Sequence, residues 1–135
     1  MAAPSKRLVK PTGGRPARSV SRQSAASQPF LRFYHSEDLR ARTLAVLAGI
    51  EKSPQPTRHR DALADITVEL AHAGLDYYFI RQLERADVGF VIRTSASVGV
   101  AGVMQLMGTV IRNIIGRMDG PQLLSICGSI RQLMR

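Results

Sequence analysis

The chain has 135 residues, 44% of them hydrophobic and 21% charged, which is enough for one domain with a real core. A single cysteine, Cys127, excludes an internal disulfide framework and a cysteine-built zinc site within one chain. The net charge of +9 is unevenly spread: residues 1–35 hold seven Lys/Arg and no acid, residues 36–87 seven against nine, and residues 88–135 five against Asp119 alone.

Most of the basicity therefore belongs to an N-terminal tail, residues 1–30, carrying Lys6, Arg7, Lys10, Arg15, Arg18 and Arg22. Pro, Gly and Ser interrupt it, and its apolar residues show no period. Such a segment cannot bury enough surface to offset its ordering entropy, so it reads as disordered. Its cations suit an anionic surface or a nucleic-acid backbone, by counterion release. The plainer reading is a solubilising tail, or one lying on an acidic face of its own domain. Arg/Ser richness without acids also fits an organelle transit peptide, although no amphipathic helix stands out. The N-terminus lacks the apolar run of a secretory signal.

Residues 31–135 read as a single helical domain. Phe30, Phe33 and Tyr34 are expected to pack against its first helix. Ser36 is a natural N-cap, and Glu37 and Asp38 fall in the first turn, where the helix dipole favours anions. Leu39, Thr43, Val46, Leu47 and Ile50 follow at helical spacing, and the prolines of "SPQP" at 53–56 end the helix.

A long second helix is expected from about Thr57 to about Ala86. Its seam is Leu63, Ile66, Leu70, Ala73, Tyr77 and Ile80, at steps of three and four. Gly74 marks a close crossing or a bend. Tyr78 and Phe79 turn away from the seam and suit packing or a partner. Val88–Ile92 has no second strand to pair with, so it reads as the lead-in to a third helix.

That third helix contains the longest uncharged run, Thr94–Ile111, between Arg93 and Arg112. Its length nearly qualifies it as a membrane span. Ser95, Ser97, Gln105, Thr109 and three glycines argue against one. At about 100° per residue, Thr94, Ser97, Ala101, Gln105, Gly108, Arg112 and Gly116 form a small-polar stripe. A wide apolar arc takes the rest. We expect the central, mostly buried helix of a bundle, with no integral span. The stripe is either a place where another helix approaches closely or the solvent-facing edge. The arc is wider than one small chain needs, which favours a homo-oligomer. The last helix is capped by Asp119 or Gly120 with Pro121 in its first turn, and Leu123, Leu124, Cys127, Ile130 and Met134 form its apolar side.

Chemistry is sparse. Glu69 and His72 have the Glu-x-x-His spacing of di-iron bundles, but that chemistry needs two such pairs and two more inward carboxylates. They lie instead with Asp61, Asp65 and Asp76 opposite the seam, as a solvated acidic face. The histidines are scattered, "GGRPAR" lacks phosphate-loop spacing, and Cys127 reads as a small buried hydrophobe. No cofactor, metal or catalytic residue is expected. Met104, Met107, Met118 and Met134 suit either core filling or an adaptable apolar surface.

The sequence thus points to an all-α fold, a compact bundle of about four helices after a basic tail. The expected function is that of a non-enzymatic, cytoplasmic interaction protein, an oligomeric adaptor or regulator with a possible protein partner. Ser97, Ala101, Gln105, Gly108, Arg112, Tyr78 and Phe79 are the expected interaction residues. One alternative is a lipid- or storage-granule-surface protein using the apolar, basic second half. The other is a nucleic-acid-associated protein acting through the tail, whose binding would weaken steeply with salt.

Overall fold

A computed structural model describes residues 32–134, and the basic tail lies outside them. The described residues form four helices and no strand. The first, α1, spans Glu37–Lys52, where the Ser36 hydroxyl accepts from the Leu39 N–H at 3.1 Å. A 3-10 turn at Pro56–His59 leads into α2, Arg60–Leu75. A π turn at Asp76–Ile80 and a short α3, Arg81–Arg85, continue it as the second long helix. After a tight joint come α4, Phe90–Ile115, and α5, Gly120–Leu133. Asp119 and Gln122 close a reciprocal capping box at the start of α5, each side chain satisfying the other's backbone N–H.

The core lies where α1, α5, the start of α2 and the end of α4 meet. Leu47, Ile50, Leu63, Leu123 and Cys127 are fully buried there, with Ile66 and Ile115 beside them. Leu124, expected on the same side of α5, is exposed; Ile126 packs against the core as a partly buried neighbour. Arg60 reaches from α2 to the carbonyl of Met118, with its Nε donating at 2.9 Å and its Nη2 donating too. This satisfies a carbonyl just beyond the end of α4, where the helix dipole favours a cation. Arg131 of α5 pairs with Glu51 of α1 through two hydrogen bonds, 2.8 and 3.3 Å.

The joint between the two long helices is tight. Asp87 adopts the left-handed conformation (φ 51°) that lets the chain reverse, and its short polar side chain tolerates it. Val88 and Gly89 lead into α4, so this segment is the expected lead-in and not a strand.

The π turn was not foreseen. The Arg81 N–H reaches back five residues to the Asp76 carbonyl, and the Gln82 side chain donates to the Tyr77 carbonyl at 3.1 Å. The rings of Phe33 and Tyr34 meet the second long helix, and Phe30 lies outside the described residues. Phe33 meets Tyr77 and Tyr78 with ring centroids 6.5 and 6.2 Å apart, and Tyr34 meets Tyr77 at 5.9 Å. Gly74 makes room for this cluster, since a Cβ there would lie 3.8 Å from the Phe33 ring.

Cys127 is buried as expected. Burial pushes its thiol above the ordinary value of 9.0, and the nearby Glu51 carboxylate adds to this while Arg131 opposes it. The folded state therefore prefers the neutral thiol. That preference contributes fully at pH below about 9 and is lost as pH rises through the folded-state value. Maleimide labelling of the native protein at neutral pH is expected to track global unfolding, and Cys127→Ser to blunt the fall in stability at alkaline pH. Fast labelling in native buffer contradicts this.

Candidate interaction surface on the fourth helix

Helix α4 has 26 residues and is about 39 Å long at 1.5 Å per residue. It runs back along α2 and the π turn as the second arm of a hairpin, while α1 and α5 pack on each other and on the turn before α2. Its inner face carries Met104, Gly108 and Ile115, all buried, and Val100, Met107 and Ile111, half-buried. Gly108 lies under Val68 of α2, where an added Cβ would sit 3.9 Å from a Val68 methyl. Arg112 pairs with Asp65 of α2.

The expectation that this helix is mostly buried is corrected. Only 17% of its apolar window is buried. The reason is the number of neighbours: α2 and its continuation flank one side of α4, and no described element covers the other. Val91 (74% exposed), Val98 (68%), Leu106 (72%), Ile92, Val103, Val110 and Ile114 face outward, and Phe90 (82%), five turns before Gly108 and on the same side of the helix, is exposed at its start. Part of the arc assigned to the core is thus the exposed side.

The small-polar stripe divides accordingly. Gly108 serves a close helix crossing, but within the chain, against α2. Ser97, Ala101 and Gln105 are exposed along one flank, and the Ser97 hydroxyl donates to the Arg93 carbonyl. Tyr78 (39% exposed) joins the ring cluster with Phe33 and Tyr77, whereas Phe79 (46% exposed) stands outward. Gly99 and Gly102 were not singled out in the sequence. Both lie on the outer face of α4, and a Cβ added to either would meet nothing within 4 Å. Met104, Met107, Met118 and Met134 fill inward or half-buried positions, so valine, leucine, isoleucine and Phe90 make the exposed apolar surface of α4.

Asp65, Glu69 and Asp76 of the acidic row are engaged by the domain's own arginines. Arg42 of α1 bridges Asp38 (2.8 Å) and Glu69 (2.7 Å), Asp65 holds Arg112, and Asp76 meets Arg81 at 3.2 Å. Hydrogen bonds to Asp38 and then Glu69 raise the Arg42 pKa. Such exposed pairs contribute little to stability, because water screens them. Glu69 thus faces Arg42, while His72 is exposed one turn along. No group of three or more metal-ligating side chains occurs among the described residues. An open depression of about 360 Å³ between α1 and α2 is lined by Ala45, Val46, Ala62 and Ile66 and by these same paired charges, Arg42, Asp65 and Glu69.

Fold and surface together define a helical domain with one long, exposed apolar helix face. No known protein family matches the sequence, and no curated protein or solved structure is significantly similar to it.

Proposed function

We propose that this is a non-enzymatic interaction protein, an adaptor or regulator of the cytoplasm, whose working surface is the outer face of α4. The observation that carries the reading is the exposure of eight large apolar side chains along one helix. Without Phe90, those on the outer face leave on the order of 600 Å² of apolar surface, the upper end of the largest patch on an ordinary monomer, and such patches commonly mark contact sites. Exposing such a face to water costs free energy that contact with a partner recovers, at about 25 cal/mol per Å² before association costs.

A second reading is docking on a lipid or storage-granule surface. One observation favours it: α4 is the sole described helix long and apolar enough to cross a membrane, and it bears no acidic residue. Tail-driven nucleic-acid binding concerns residues outside those described.

Site-specific photo-crosslinking tests the proposal. A photoreactive side chain at Leu106 is expected to give adducts in cells, and the same group at Arg40, on the exposed side of α1, is not. Protein adducts support the adaptor reading and lipid adducts the second. Equal labelling from both positions removes α4 as the working surface.

A further inference from the structure

The occupant of this face can be narrowed, on the reading that the outer side of α4 is the contact surface. We propose that it is α4 of a second copy of this chain, running antiparallel across a two-fold axis level with the Val100–Ala101 bond.

The glycines are the first observation. A glycine inside a helix costs about 0.8–1.0 kcal/mol relative to alanine. Gly74 and Gly108 have their reasons inside the protomer, since each lies against a side chain, Phe33 and Val68. Gly99 and Gly102 have none, because nothing lies within 4 Å of where their Cβ would be; the same holds singly for Gly49 of α1 and Gly128 of α5, and α4 is where two such glycines fall three residues apart. Three residues apart on one face, they make a notch between Val98, Val103 and Leu106. A notch lets a second backbone come close. A lipid surface has no use for one, because any apolar side chain there would bury more area than glycine.

The second observation is the order of residues to either side. Counting outward from the notch, Gly99 answers Gly102, Val98 answers Val103, Ser95 answers Leu106, and Val91 answers Val110. In an antiparallel pair on a two-fold axis these partners fall at the same level, on opposite flanks of the seam. Their side chains interleave, with Leu106 entering beside the small Ser95. A two-fold contact needs such self-complementarity, since one surface must fit itself.

Charge and area agree. No charge falls between Arg93 and Arg112, so pairing buries none unpaired. Arg112 is held to the side by Asp65. Val91, Ile92, Val98, Val103, Leu106 and Val110 flank the notch and leave on the order of 600 Å², a large share of the roughly 800 Å² per partner of a standard interface. The result is two hairpins joined as a four-helix arrangement, with α4 in the middle of each half and covered on both sides.

Sedimentation velocity of the full chain over a concentration series tests this. The wild type is expected to dimerise. Leu106→Glu and Gly102→Leu are each expected to weaken association roughly tenfold or more, a loss of about 1.4 kcal/mol. Both sites are open in the protomer, so thermal unfolding of the dilute variants should match or exceed that of the wild type. Mixed Ser95→Cys and Leu106→Cys chains, level with each other at the centre of the seam, should form a disulfide-linked heterodimer faster than either alone; buried Cys127 does not compete. Self-linking by Ser95→Cys alone at an equal rate overturns the antiparallel register, and a wild type monomeric at every concentration overturns the pairing. If that monomer floats with phosphatidylcholine–phosphatidylserine vesicles and Leu106→Glu does not, lipid covers the face, the pairing is overturned, and the outer side of α4 remains the contact surface under the second reading. A monomer that neither floats nor gives Leu106 photo-adducts overturns both.

Discussion

Leu63→Ala is expected to lower the unfolding free energy by about 2–5 kcal/mol, the range for truncating a buried leucine. Leu63 is completely buried on α2, in the cluster that also holds Leu47, Ile50, Ile115, Leu123 and Cys127. Four helices contribute to that cluster, so removing three carbons loses their transfer free energy and leaves a cavity that no single helix can close by shifting. Total stability of a domain this size is about 5–15 kcal/mol, so the change removes a large fraction of it. Leu133 carries the same side chain at 85% exposure. Leu133→Ala should stay within about 0.5 kcal/mol of wild type. Paired urea melts of the two variants make the measurement. Equal costs would mean that the core does not lie where α1, α2, α4 and α5 meet.

Much of this architecture was legible in the sequence. Ser36, the prolines of 53–56 and Asp119 with Pro121 are local signals, and each boundary depends on a few neighbouring residues alone; the Gln122 half of the last cap was not foreseen. The seam from Leu63 to Ile80 likewise declares one long helix, which the structure keeps through the π turn. That turn left no mark in the pattern, because one wide turn changes the phase without changing the composition. The partners of Phe33 and Tyr34 were hidden for a different reason. Aromatic rings near a helix start can pack on any neighbour, and the neighbour here is some forty residues away at Tyr77 and Tyr78.

The faces of α4 were the least legible part of the candidate site. Periodicity separates a small-polar stripe from an apolar arc, but which part is covered depends on how many helices lie alongside. With 16 and 14 residues, α1 and α5 are too short to flank all 26 residues of α4, and both gather at its far end. The stripe therefore splits, and Gly108 and Arg112 turn to α2 while Ser97, Ala101 and Gln105 face outward. The width of the arc was a usable signal that some apolar surface would remain. Gly99 and Gly102 became informative only when the space around each glycine was known.

Gly108 gives the sharpest sign test of this arrangement. Its hydrogen faces the Val68 methyls, which would stand 3.9 and 4.0 Å from an added Cβ. Those are ordinary contact distances, so Gly108→Ala fits without displacement. It should raise stability by roughly 0.8–1.0 kcal/mol, the difference in helix propensity. Gly108→Leu gains nearly as much propensity but must place three further carbons where α2 already stands. Overpacking of that kind costs about 1–3 kcal/mol, and the net effect should be a loss. The Ala and Leu variants should therefore move thermal unfolding in opposite directions. Gly102, with open space beyond it, should behave otherwise: in the dilute protomer both Gly102→Ala and Gly102→Leu should stabilise. If Gly108→Leu stabilises as Gly102→Leu does, then α2 and α4 are not in contact at Val68, and the hairpin that leaves the outer face of α4 uncovered is wrong.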